Sequence, residues 1–254
     1  MDKNDSLLVN RFHDLAYRAD VTGSVTFSNF LNLNEISVLS EEKNRLEASY
    51  ELFGGFSNAE RQIACFQSDA FSLYSNQKPV FPIHCIELSY ANKKYAEALT
   101  HRDVLGSLMN LGIERDLLGD IIFYKDNIYV FALQTAADLI LSDLYKIRHT
   151  QIRANEVPLE DFSYEPSYKE ETVQIASNRL DAFIAAVCKY SRQKASEYIL
   201  SEKVFINGKL TTNHNTKINI DDVISLRGFG KLRIESMPGM TKKGKMRVSY
   251  LLYQ

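Results

Sequence analysis

The hydrophobic and polar positions of this 254-residue chain fall into three segments of different period. In residues 1–77 apolar side chains recur at helical intervals, predicting helices over 4–18, 25–30 and 41–52. A further helix is expected from Ser57, where Ser57 and Glu60 have capping-box spacing ahead of Ile63, Ala64 and Phe66. The turn-rich run Ser75-Asn76-Gln77-Lys78-Pro79 closes that segment. Residues 79–162 alternate. A strand over 81–90 precedes a helix opened by Thr100, with Val104, Leu105, Leu108 and Leu111 on one face and Gly112 at its end. Strands over 120–124 and 128–133 flank the tight turn Lys125-Asp126-Asn127, and a helix over 135–147 leads to a last strand over 150–157. This β-α-β-β-α-β order is ferredoxin-like, the topology of RRM domains. Residues 163–176 are acidic, contain Pro166 and read as a linker.

In the third segment Ser177 is placed to cap a helix whose inner face is Leu180, Phe183, Ile184 and Val187. Ser191 is placed to cap a second, with Ala195, Tyr198 and Ile199 inward. Val204-Phe205-Ile206 reads as a strand ending in the turn dipeptide Asn207-Gly208. Asp221-Asp222 turns the chain into a strand over 223–226, and Arg227-Gly228-Phe229-Gly230-Lys231 is a basic glycine-containing turn. The expected class is α+β: a helical N-terminal domain (1–77), a ferredoxin-like middle domain (79–162), a linker (163–176) and a small α/β domain (177–254).

Composition narrows the function classes. No apolar run approaches the ~20 residues of a membrane span, and the charged start Met1-Asp2-Lys3-Asn4-Asp5 has no apolar stretch behind it. Cys65, Cys85 and Cys188 are distant from one another and odd in number, as expected of buried thiols in a cytoplasmic protein. The five histidines are scattered without ligand spacing, so no metal site is expected. Phe53-Gly54-Gly55-Phe56 lacks both phosphate-loop patterns and reads as a turn packed by two aromatics. His101-Arg102-Asp103 resembles a kinase catalytic loop only superficially, and Asp103 is better read as a capping partner of Thr100. No cofactor, small-molecule substrate or catalytic residue is expected.

Charge is unevenly distributed. Residues 177–254 hold 14 Lys and Arg against 6 Asp and Glu, whereas residues 1–176 hold 16 against 26. A basic end on an acidic body suits a polyanionic partner. Arg192 and Lys194 fall in the first turn of their helix, where cations oppose the helix dipole by about 0.3–1 kcal/mol each. A phosphate docked at that end would reverse the sign, because free backbone N–H groups and both cations would face it.

Five blocks carry a family resemblance: Ser177-Asn178-Arg179-Leu180-Asp181, Ser191-Arg192-Gln193-Lys194-Ala195, Val204-Phe205-Ile206-Asn207-Gly208-Lys209, Asp221-Asp222-Val223-Ile224 and Arg227-Gly228. Together they resemble the S4 domain, which clasps structured RNA. The resemblance implies RNA contacts at Arg179, Ser191, Arg192, Lys194, Lys203, Lys209 and Arg227, to which the basic turn adds Lys231. It implies a core at Leu180, Ile199, Val204, Ile206 and Val223, and makes Asp181 an internal partner of a neighbouring base. Glu202 stands where that family has Gly before Lys203, at a helix end that favours positive φ.

Upstream, Phe53-Gly54-Gly55-Phe56, Ala59-Glu60-Arg61, His101-Arg102-Asp103-Val104-Leu105-Gly106, Leu111-Gly112-Ile113 and Gly119-Asp120-Ile121 resemble the YlmH family of bacterial proteins. That resemblance implies non-catalytic binding of structured RNA, ribosomal RNA or tRNA, on the large ribosomal subunit in translation quality control. It leaves open whether the middle domain, with Arg102 and Arg115, touches RNA.

Two other readings remain. An RNA-modifying enzyme, pseudouridine synthase-like or methyltransferase-like and targeted by its basic domain, would need a catalytic group upstream; Asp69, Asp103, Asp116 and Asp120 are candidates only by default. A protein-interaction adaptor would use the basic face against an acidic partner. The basic tail Lys242-Lys243-Gly244-Lys245 with Arg247 is either a solvated hairpin tip or a backbone contact.

Overall fold

The computed structural model describes residues 3–68, 78–164, 167–239 and 244–253. The chain forms two compact units, Met1–Tyr164 and Glu165–Gln254. The α+β class holds, but the N-terminal segment is not all helical. It begins with α1 (Lys3–Thr22), continues through β1 (Thr26–Leu31) and α2 (Leu33–Glu42), and ends in β2 (Ser49–Phe53) and β3 (Gln62–Gln67). The strands form an antiparallel sheet ordered β1-β3-β2. The helices expected over 25–30, over most of 41–52 and from Ser57 are therefore strands and a turn. At Ser57 the reason is non-local: the Asp120 carboxylate accepts from Glu60 N (2.6 Å) and Arg61 N (3.2 Å), donors a helix start would otherwise have used. The boundary run expected at 75–79 lies mostly outside the described residues.

The middle domain has the ferredoxin-like topology. Its elements are β4 (His84–Tyr90), α3 (His101–Asn110), β5 (Leu118–Tyr124), β6 (Asn127–Ala132), α4 (Gln134–Asp143), β7 (Lys146–Ile147) and β8 (Thr150–Val157). The antiparallel order is β5-β6-β4-β8-β7. Thr100 caps α3 through a capping box with Asp103. The β5–β6 turn is Lys125-Asp126, both at positive φ (48° and 64°), the geometry of a two-residue hairpin. The helix expected over 135–147 stops at Asp143, and its last residues become a short edge hairpin with Arg148 at φ 54°.

Strand alternation gives the middle sheet two faces. Ile86, Leu88, Ile128 and Val130 pack with α3 and α4. Cys85, Ile122, Tyr129 and Phe131 form the other face, packed against Phe27, Phe30, Phe53, Phe56, Phe81 and Phe162. A Cβ on Gly119 would lie 2.7 Å from Phe30 and 2.9 Å from Phe131, so only glycine fits there. Arg61 completes the junction, donating to Leu118 O (2.7 Å), Phe30 O (3.0 Å) and Arg115 O (3.1 Å).

The C-terminal unit opens with β9 (Tyr168–Ile175), within the stretch expected to be a linker. It pairs along its whole length with β14 (Met246–Tyr253) as a sheet edge, where charged residues such as Lys169 and Glu170 are tolerated because one side faces water. Next come α5 (Leu180–Val187), α6 (Arg192–Leu200), β10 (Val204–Ile206), β11 (Lys209–Leu210), β12 (Val223–Leu226) and β13 (Gly230–Ser236), in the sheet order β11-β10-β12-β13-β14-β9. Leu180, Phe183, Ile184, Ala195, Ile199, Val204, Ile224 and Leu232 make the core. Val223, expected inside, is only half-buried, and its neighbour Ile224 takes the core position.

Candidate nucleic-acid interface

The basic surface of the C-terminal unit is built around the start of its two helices. The N-cap of α5 is Arg179 rather than Ser177. Carbonyls of a later loop satisfy the first turn, Thr216 O accepting from Leu180 N (2.8 Å) and His214 O from Asp181 N (3.3 Å). A serine cap is thereby made unnecessary. Asp181 turns inward, and its side chain is 4% exposed. Its carboxylate accepts from Arg179 Nε (3.1 Å) and Nη2 (2.9 Å), from Arg192 Nη2 (2.8 Å) and from Ala182 N (2.8 Å). Burial pushes this carboxyl up, but the two guanidiniums outweigh burial and hold it below its ordinary value. Two cations thus share one anion, leaving one positive charge in excess. Both guanidiniums stay within reach of a ligand, the side chains being 39% and 47% exposed.

On the other side of the α6 start, Ser191 accepts from Lys194 N (3.1 Å) as the N-cap. The Lys194 ammonium does not swing into water. It lies 4.2 Å from the Tyr190 ring centroid, and Tyr190 packs edge-on to Tyr198 at 6.0 Å. Lys203 sits 5.7 Å over Tyr198, whose hydroxyl donates to Arg227 O. Arg227 N donates to Lys203 O (2.9 Å), and the Arg227 guanidinium covers Phe205 at 4.9 Å. Cations and rings are therefore joined through one continuous set of contacts: Lys194, Tyr190, Tyr198, Lys203, Arg227, Phe205. Each cation–ring contact contributes about 0.5–1 kcal/mol at an exposed site and fixes a long side chain in place.

Of the eight residues expected at the interface, Arg179 and Arg192 meet at Asp181, while Lys194, Lys203 and Arg227 join through the rings. Ser191 caps the helix between these groups. Lys231 lies across the sheet, opposite Ser225, which is itself opposite Phe205, and its ammonium is 5.7 Å from the Tyr253 ring. Lys209 is exposed on the edge strand β11, beyond the Asn207-Gly208 turn with φ 49° and 78°. Tyr190, Tyr198 and Phe205 were not expected at the surface. The four-residue spacing of Tyr190, Lys194 and Tyr198 is the signal that could have marked them. Glu202 has φ 59°, the positive value its position implied. Residues 240–243, including Lys242 and Lys243, lie outside the described residues.

In the middle domain the sheet face that RRM domains offer to RNA is filled by the aromatic residues of the N-terminal domain. Arg115 is committed inward, donating to Leu118 O (3.0 Å) and Gly119 O (3.2 Å), with its pKa pushed down to about 10 by burial and by nearby Arg61. Arg102 is exposed. Asp103 bonds Thr100, Asp116 accepts from Asn29 (2.7 Å) and Asp120 holds the Glu60–Arg61 turn. Asp69 lies outside the described residues. No helix among the described residues is long and apolar enough to cross a membrane.

Residues 77–161 match the family model described as "Putative RNA-binding domain in YlmH". Over 226 residues, 88% of this chain and 85% of the relative, the chain is 26% identical to the ribosome-associated protein quality control protein P2 of Bacillus subtilis. A solved structure, the cell division protein ylmH from Streptococcus pneumoniae, has a similar fold. It superposes with a TM-score of 0.50 at 23% identity, covering 64% of this chain and 97% of that one. The resemblance read from the upstream motifs is borne out.

Proposed function

We propose a non-catalytic role for this chain, whose residues 77–161 match the YlmH RNA-binding-domain model: binding structured RNA in a ribosome-linked, cytoplasmic quality-control step. The C-terminal unit supplies the grip, in the manner of an S4 domain. The observation that carries this reading is the paired construction at α6, with two guanidiniums on one buried carboxylate and a cation–ring series beside it. It presents preoriented positive charge. The ribosome-associated name of the Bacillus relative supports the setting. The finer reading is ribosomal RNA, or tRNA held on the large subunit.

The structure changes which variant tests this best. Arg192 stabilises Asp181, so charge reversal there perturbs the fold as well as the surface. Lys194→Glu with Lys203→Glu alters only side chains that lie on rings. The double variant is expected to remain folded, with its melting temperature lowered by no more than the loss of two exposed cation–ring contacts implies, and to lose RNA binding. Wild-type affinity should fall with salt at a log–log slope of roughly −3 to −5, for about 4–6 neutralised phosphates. A folded double variant with unchanged affinity would sink the assignment. In sucrose gradients of gently lysed cells, a salt-sensitive peak with large subunits is the expected result, whereas protein confined to the top at low salt would exclude the ribosomal setting.

A further inference from the structure

The hairpin joining β12 and β13 carries a side chain that the RNA-binding reading above does not use. Leu226 pairs with Gly230, so the loop is Arg227-Gly228-Phe229, closed by Phe229 N donating to Leu226 O (3.0 Å). Gly228 has φ 84°, and a Cβ built there would meet nothing within 4 Å, so the tip stands clear of the unit's own packing. Phe229 is 42% exposed at that tip. Its ring takes no part in the aromatic and cation–ring contacts that order Tyr190, Tyr198, Phe205 and Tyr253. A single exposed apolar side chain is ordinary on a protein surface. The setting of this one is unusual, because the residues two positions to either side of it in the chain are cations, Arg227 and Lys231, each held over another ring. An exposed ring on a hairpin loop, with a cation two residues away on each strand side, suits a nucleobase flanked by its own phosphates.

We infer that Phe229 stacks on an unpaired base, and that the protein selects structured RNA in which a bulged, looped or terminal nucleotide adjoins a duplex. The inference rests on the RNA-binding reading and specifies which RNA it takes. Bases inside an A-form duplex are stacked on both faces, and the deep major groove keeps side chains from them, so Phe229 could engage only a nucleotide outside the stack. Duplex grip and base stacking then have separate residues: the groups around α6 hold phosphates, and the hairpin tip holds one base.

The test uses the full chain and two synthetic RNAs, a blunt duplex and the same duplex with a single bulged 2-aminopurine, in fluorescence titrations. Wild type is expected to bind the bulged RNA more tightly and to quench the 2-aminopurine. Phe229→Ala and Phe229→Leu should lose about ten-fold or more on the bulged RNA, abolish the quenching and leave blunt-duplex affinity unchanged; Phe229→Trp should restore both signals. Leucine keeps the apolar bulk, so it separates stacking from general contact. Unchanged binding of the bulged RNA by the alanine variant overturns the inference and turns the exposed ring towards a protein surface. Equal loss on both RNAs also overturns it. Wild type that binds neither RNA overturns the RNA-binding reading itself.

Discussion

Asp181 shows how one buried carboxylate organises a surface. With its charge shared between Arg179 and Arg192, it decides where two guanidiniums point. Its carboxyl is held below the ordinary 3.8, so this contribution to stability is fully present above the ordinary carboxylate range and is lost as pH falls through the depressed value. Asp181→Asn should cost about 1.5–3 kcal/mol at neutral pH, reduce the acid sensitivity of the C-terminal unit and weaken RNA binding. Melting curves taken from neutral pH down to about pH 3 would show it; an unchanged acid slope would count against the assignment. Glu202 is a second residue whose backbone matters more than its side chain. At φ 59° a non-glycine residue costs roughly 1 kcal/mol. Glu202→Gly should therefore raise the melting temperature of the unit by a few degrees, at about 4–8 °C per kcal/mol. It also removes an anion beside Lys203, so RNA affinity should rise. A lower melting temperature would mean that the Glu202 side chain makes a stabilising contact of its own.

Between elements, the decisive feature is the junction of the N-terminal and middle domains. Gly54-Gly55, Arg61, Gly119 and Asp120 carried the family resemblance, and they are junction residues. Gly55 at φ 98° abuts Phe131, and Gly119 admits Phe30. Arg61 and Asp120 satisfy backbone groups across the join. Gly119→Ala should destabilise the first unit by about 1–3 kcal/mol through overpacking, visible in its unfolding midpoint, and leave RNA binding by the C-terminal unit intact. A change in RNA affinity with no change in midpoint would show that the junction serves the ligand directly.

For the molecule as a whole, two units with separate cores imply separable stability. The C-terminal core draws on residues between Val173 and Leu252 alone, so residues 165–254 expressed by themselves should melt cooperatively and retain the salt-dependent RNA binding. Residues 78–164 by themselves would uncover Ile122, Tyr129 and Phe131. That fragment should bind hydrophobic dyes and aggregate, as exposed apolar patches of this kind do. A monomeric, dye-silent fragment would contradict the interdomain packing.

What the sequence determined by itself is chiefly local. Thr100 with Asp103, the Asn207-Gly208 turn, the helical spacing of Leu180 to Val187 and the concentration of Lys and Arg after residue 177 each depend on near neighbours or on simple counting. They gave the α+β class, the ferredoxin-like order and the basic character of the C-terminal segment, while the individual surface residues came from the S4 resemblance. Tertiary structure decided what depends on partners distant in the chain. The apolar intervals of 25–67 read as helical, but strand pairing plus Asp120, about sixty residues away, made them sheet and turn. The acidic stretch at 168–175 became a strand because β14 offered it a partner. Arg192 and Lys194 looked alike, two cations at one helix start, until the fold gave one a buried carboxylate and the other a tyrosine ring. Propensity is a weak local preference of tenths of a kcal/mol per residue, and long-range hydrogen bonds and burial outweigh it wherever the two disagree.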